Sequence, residues 1–125
     1  MPNRKIVYIV DDDPSILDSV QSLLRSYGYR TAILSSAQAF ENDINFDKAL
    51  CIVLDINLND GFSGIDIMHQ LKSAGISVPF IYMTGNDDPV TRMAALESGC
   101  LAYLTKPFSA ESLIEPLAKA SLGLT

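Results

Sequence analysis

Five short apolar runs, Ile6–Val10, Thr31–Leu34, Cys51–Leu54, Phe80–Met83 and Leu101–Leu104, alternate along the chain with stretches whose apolar residues fall at helical spacing. This alternation constrains the fold more than any other feature. Strands separated by helix-length crossovers run parallel in one sheet, with helices on its faces, so the expected class is α/β. Runs that are apolar throughout mark strands covered on both sides. A length of 125 residues suits one core, and residues 1–125 are read as a single domain.

The helical stretches carry their own punctuation. In the first, Ile16, Val20, Leu23 and Tyr27 share helical spacing. Asp13 is a suitable cap, Pro14 suits the first helical position, and Gly28 a helix end. A short second helix is expected over Ala37–Ile44, after Ser36. The third follows Ser63 with Ile65, Met68 and Leu71 and stops near Gly75. The fourth opens at Asp88-Pro89, carries Val90, Met93, Ala94 and Glu97, and stops near Gly99. The fifth starts near Ser109 and contains Pro116. That proline removes a backbone donor and clashes with the preceding turn, so a kink or break is expected there.

With right-handed crossovers, every strand ends on the same edge of the sheet, and open α/β sheets bind ligands at that edge. Asp11, Asp12 and Asp13 follow the first run, Ser35-Ser36 the second, Asp55 the third, Thr84 the fourth and Lys106 the fifth. Gathering Asp11, Asp12 and Asp55 is costly: two like charges ~4 Å apart repel by about 4 kcal/mol at an effective dielectric near 20. Either a carboxyl group takes a proton or a hard divalent cation sits among the oxygens. With no His or Cys nearby, magnesium or manganese is favoured over zinc. Lys106 adds a fixed positive charge and Thr84 a hydroxyl. Such a set can hold a phosphoryl group and neutralise its oxygens during transfer.

Other readings are narrower. "DINLNDGFSGID" places Asp55, Asn57 and Asn59 at alternate positions, as a calcium loop would. However, its glycine is displaced to Gly61, its twelfth residue is Asp66 rather than Glu, and a strand precedes it. Cys51 and Cys100, with no CxxC spacing, read as reduced core thiols, and His69 reads as solvated. A formal net charge of −6 argues against a nucleic-acid partner. No apolar run approaches a membrane span and no signal-peptide pattern opens the chain, so a cytoplasmic location without membrane association is the expectation.

"IVDDDP", "VLDINL", "YMTG" and "YLTKPF", in that order and at those separations, resemble the receiver domain of two-component response regulators over residues 5 to about 120. "DSVQSLLRSYGY" and "KPF" look most like receivers of the nodulation and nitrogen-fixation (FixJ) type. The resemblance implies a flavodoxin-like, CheY-like (βα)5 three-layer sandwich with a five-stranded parallel sheet in the order 2-1-3-4-5. It also implies a phosphorylation-controlled switch rather than an enzyme acting on other molecules. In that reading Asp55 accepts phosphoryl from a sensor histidine kinase, and Asp11, Asp12, Asp55 and the Asn57 backbone carbonyl hold Mg2+ (or Mn2+). Thr84 and Lys106 contact the phosphoryl group, Tyr103 changes rotamer with Thr84, and the Lys106–Pro107 bond is cis. Gly85 leaves room beside the acceptor. The read-out goes to an unnamed downstream protein or output domain, with a homodimer through the fourth helix, fifth strand and fifth helix as one form. Two features depart from the family: Asn59 stands where many receivers have Pro, and the loop before Gly64 is one residue longer.

Two other functions compete. A receiver-like interaction module independent of phosphorylation would not need Asp55, Thr84 and Lys106 intact. A magnesium-dependent aspartyl phosphohydrolase would need a second Asp two residues past the nucleophile, where this chain has Asn57.

Overall fold

Strand β1 (Ile6–Val10) lies inside the sheet, so its side chains are buried on both faces and it reads as an unbroken apolar run. The computed structural model describes residues 6–36, 44–58 and 63–122. The remaining strands are β2 (Arg30–Leu34), β3 (Ala49–Asp55), β4 (Phe80–Thr84) and β5 (Ala102–Thr105). All are parallel, in the order β2-β1-β3-β4-β5, the order the resemblance implied. The fifth strand begins one residue later than its apolar run. Both β3 and β4 extend one residue further, so Asp55 and Thr84 end strands rather than open loops.

Successive residues of the inner strands point to opposite faces and build two cores. On one face Val7, Ile9, Cys51, Val53, Ile81 and Met83 meet helix α1 (Pro14–Ser26) through Leu17, Val20 and Leu24. The last described helix, Ala110–Ser121, meets the same face through Leu113 and Leu117. On the other face Tyr8, Val10, Ile52, Leu54 and Tyr82 meet α2 (Gly64–Ser73) through Ile67 and Met68, and α3 (Pro89–Glu97) through Ala95. The last helix is therefore α4. The expected helix over 37–44 lies, apart from Ile44, outside the described residues; Ile44 itself is buried and not helical.

The helix starts follow local chemistry. Asp13, Ser63, Asp88 and Ser109 each accept a hydrogen bond from a first-turn N–H, satisfying a donor that the helix itself cannot. The buried stripes differ from the expectation in two places. In α1 the stripe is Leu17, Val20 and Leu24, while Tyr27 is exposed at the helix end. In α3 Val90, Met93 and Leu96 are exposed and only Ala95 is buried, because a small residue lets the helix approach the sheet.

The break expected at Pro116 does not occur: α4 runs through it. Proline inside a helix costs about 3 kcal/mol. Leu113 and Leu117 flank it and are fully buried; burying two such side chains contributes roughly 3–6 kcal/mol, enough to hold both halves of the helix on the sheet. Cys51 is buried and free as expected, its thiol pKa pushed upward by burial, whereas Cys100 is also free but only half-buried. His69 is exposed.

Candidate functional site

Strand register assembles the site. Val10 pairs with Leu54, so the next residues, Asp11 and Asp55, emerge side by side. Thr84 pairs with Thr105, which places Lys106 just beyond, its N–H donating to the Thr84 carbonyl at 2.8 Å. The parallel sheet thus brings residues from four strand ends to one edge.

Lys106 Nζ donates to Asp11 Oδ2 at 2.8 Å and to Asp55 Oδ2 at 3.0 Å. Asp11 is 0% exposed and Asp55 6%, so the ammonium bridges two carboxylates at least nine-tenths withdrawn from water. Asp11 Oδ1 accepts from the Asp13 N–H at 2.9 Å, and Asp55 Oδ1 accepts from the Asn57 N–H at 3.0 Å. Asp12 is half-buried, and carboxylate oxygens of Asp11, Asp12 and Asp55 lie within 4.8 Å of one another. Burial raises the Asp11 pKa above its ordinary value, helped by the Asp55 charge and opposed by Lys106 and the Asp13 N–H. For Lys106 burial disfavours the charge, but hydrogen bonds to Asp11 and Asp55 outweigh it and the pKa lies above the ordinary lysine value.

Asp11 and Asp55 share one ammonium, so the pair keeps a net negative charge when both are ionised, and Asp12 adds a third carboxylate beside it. The donors of this cluster are all oxygen. That set fits a hard dication such as magnesium, which takes carboxylates and retains water, and it does not fit zinc, which prefers nitrogen and sulfur.

Thr84 is fully buried; its Oγ1 accepts from the Asn86 N–H at 3.1 Å and from Asn57 Nδ2 at 3.3 Å, and lies 3.2 Å from the Asn86 carbonyl, to which it can donate. Gly85 next to it has open space where a Cβ would stand. On the other side, a Cβ on Gly64 would lie 2.5 Å from the Asp55 carbonyl oxygen, so only glycine lets α2 begin against the end of β3. The Gly64 N–H donates to the Ile56 carbonyl at 2.8 Å, closing the neck of the loop between them. Asn59 and the rest of 59–62 lie outside the described residues.

Tyr103 stands apart from the carboxylates. Its ring is half-buried and its hydroxyl donates to Asp87 Oδ1 at 3.0 Å. Its pKa is raised, by burial first and by Asp87 second. The Lys106–Pro107 peptide is cis. The structure thus brings Asp11, Asp12, Asp55, Thr84 and Lys106 together at one edge, with Asn57 beside Asp55 through its backbone N–H. Sequence reasoning missed Asn86, Asp87 and Arg92. Asp87 carried no signal of its own, since its contact with Tyr103 depends on β5 lying beside β4.

No helix among the described residues is long and apolar enough to cross a membrane. The family model for the response regulator receiver domain matches residues 7–118. The response regulator protein TodT of Pseudomonas putida is 36% identical over 115 residues, covering 92% of this chain and 50% of that protein. The transcriptional regulatory protein FixJ of Azorhizobium caulinodans is 33% identical over 124 residues, covering 98% and 57%. The chain therefore spans about half the length of the curated relatives it matches. Among solved structures, the beryllofluoride-activated NtrC4 receiver domain dimer superposes with a TM-score of 0.86 at 27% identity, covering 97% of this chain and 99% of that one. Four matched strand ends, a five-stranded sheet in the 2-1-3-4-5 order and these likenesses agree: the chain belongs to the response regulator receiver domain family.

Proposed function

We propose that Asp55 is the phosphoacceptor of a two-component switch and that residues 1–125 act as one receiver domain. The observation that carries the reading is the bridge of Lys106 to both Asp11 and Asp55, with Asp12 beside them. In the reaction, an Asp55 carboxylate oxygen attacks phosphorus of a phosphohistidine on a sensor histidine kinase. The O–P bond forms, the N–P bond breaks, and the imidazole leaves with its electron pair. Lys106 neutralises phosphoryl oxygens, and Thr84, released from Asn86, donates its hydroxyl to one of them.

Asp11, Asp12 and Asp55, with the Asn57 carbonyl, would hold Mg2+ or Mn2+. When bound, that ion screens charge on the transferred group. The protein's own part is to orient Asp55, which the Asn57 N–H and Lys106 do at 3.0 Å each. Phosphorylation then biases a surface read by a downstream protein or output domain. That surface is α3, β5 and α4, which also offers the route to a homodimer; the NtrC4 relative is described as a dimer. No catalysis beyond the chain's own phosphorylation and dephosphorylation is assigned, and the expected setting is the cytoplasm.

Incubation with Mg2+ and acetyl phosphate, followed by intact-mass spectrometry, tests the reading. One phosphoryl adduct is expected on the native chain and none on Asp55→Asn. An adduct that survives Asp55→Asn, or no adduct on the native chain, overturns it.

A further inference from the structure

Away from the carboxylate cluster, three side chains meet at the surface between β4, α3 and β5. The Tyr103 hydroxyl donates to Asp87 Oδ1 at 3.0 Å. Arg92 Nε lies 3.6 Å from the same oxygen, and the Arg92 guanidinium stands 5.5 Å from the centre of the Tyr103 ring. One carboxylate oxygen therefore takes both partners while the cation covers the ring face, a favourable place for a guanidinium.

The backbone around Asp87 is held on both sides. Asn86, the preceding residue, is tied through its N–H to Thr84 Oγ1. Asp88, the following residue, caps α3: its carboxylate accepts from the Val90 N–H at 3.4 Å and from Thr91 Oγ1 at 2.7 Å. Drawing the Thr84 hydroxyl toward a phosphoryl group costs the Asn86 contacts, and these fix the segment that carries Asp87. The chain of contacts runs from Thr84 through Asn86 and Asp87 to Tyr103.

We infer that Asp87 and Arg92 are positioning residues that latch Tyr103 with its hydroxyl at the surface, and so set how readily the domain enters its phosphorylated conformation. The geometry stands by itself; the consequence rests on the phosphoacceptor reading and on the Tyr103 rotamer change proposed with it. Asp87 and Arg92 side chains are 43% and 54% exposed, so the latch is solvated and weak enough to open. A hydrogen bond to a screened carboxylate together with one exposed cation–π contact biases the equilibrium about three- to tenfold.

Two measurements test the latch on the whole chain. NMR side-chain couplings of Tyr103 without phosphodonor give one rotamer in the native protein and averaged rotamers in Asp87→Ala, with Arg92→Ala in between. Titration with beryllofluoride in Mg2+ then saturates Asp87→Ala at a concentration about three- to tenfold lower than the native protein. Unchanged Tyr103 couplings in both variants overturn the latch, as does an unchanged beryllofluoride affinity when the native protein binds. A native protein that binds no beryllofluoride overturns the phosphoacceptor reading instead, and the Tyr103 couplings alone then decide the latch.

Discussion

The ammonium of Lys106 lies 3.0 Å from a carboxylate oxygen of Asp55, although 51 residues separate them in the chain. Asp11 is held by the same ammonium across 95 residues. A single amine thus organises the resting site. Its charge makes two buried carboxylates tolerable, and its removal leaves them facing each other.

Replacing Lys106 by Met is expected to destabilise the metal-free chain by about 3 kcal/mol, the low end for breaking a buried ion pair, because Asp11 and Asp55 remain withdrawn from water. Mg2+ held by the same carboxylates would supply positive charge there, so the deficit is expected to shrink when it is added. Urea unfolding with chelator and with Mg2+ measures both; a deficit of the same size in the two conditions would contradict the shared role.

Mg2+ itself is expected to stabilise the fold, by about 2.7 kcal/mol at one hundred times its dissociation constant, and Asp12→Ala to abolish most of that gain. Metal binding needs the carboxylate form. Because the folded Asp11 pKa is raised, acidification through it weakens Mg2+ binding earlier than an ordinary aspartate would. For the metal-free fold the sign is opposite. A carboxyl with a folded pKa above its unfolded value opposes folding fully above the folded pKa, and that penalty is relieved as the pH falls toward the unfolded value. Thermal unfolding against pH, with and without Mg2+, separates the two trends.

At Gly64 a methyl group would meet the Asp55 carbonyl oxygen at 2.5 Å. Gly64→Ala is therefore expected to cost about 1–3 kcal/mol, as overpacking does, and to slow phosphorylation by displacing the end of β3. Gly85→Ala meets open space and should stay within about 0.5 kcal/mol of native stability. Paired denaturation curves check the contrast.

Pro116→Ala restores a backbone donor within α4, a helix already held by Leu113 and Leu117. Part of the helical gain is offset by the freer unfolded chain, leaving an expected stabilisation of about 1–2 kcal/mol. A lower melting temperature in this variant would mean that the proline serves the native packing.

What the amino-acid sequence alone determines is local. Apolar runs located all five strands to within two residues at their ends; the three inner ones, β1, β3 and β4, are covered on both faces and need apolar residues throughout. Caps such as Asp13 and Asp88 were legible because the hydrogen bond they make spans two residues. Residue types at strand ends already pointed to Asp11, Asp12, Asp55, Thr84 and Lys106, and the family likeness supplied their strand order. Helix faces were less legible. Val90 and Met93 are apolar yet exposed, while Ala95 is buried, because contact with the sheet selects for closeness as well as hydrophobicity.

Only the tertiary structure decided which groups touch. That Lys106 bridges Asp11 and Asp55 and that Tyr103 is held by Asp87 depend on strand register, and that one methyl at Gly64 would strike the Asp55 carbonyl depends on how α2 docks at the end of β3. Periodicity along a chain carries no record of register, because a pattern of two or of 3.6 residues looks the same whichever strand lies alongside. Pro116 makes the same point for stability: its local penalty was visible in the sequence, and the burial of Leu113 and Leu117 that outweighs it was created by the sheet they pack against.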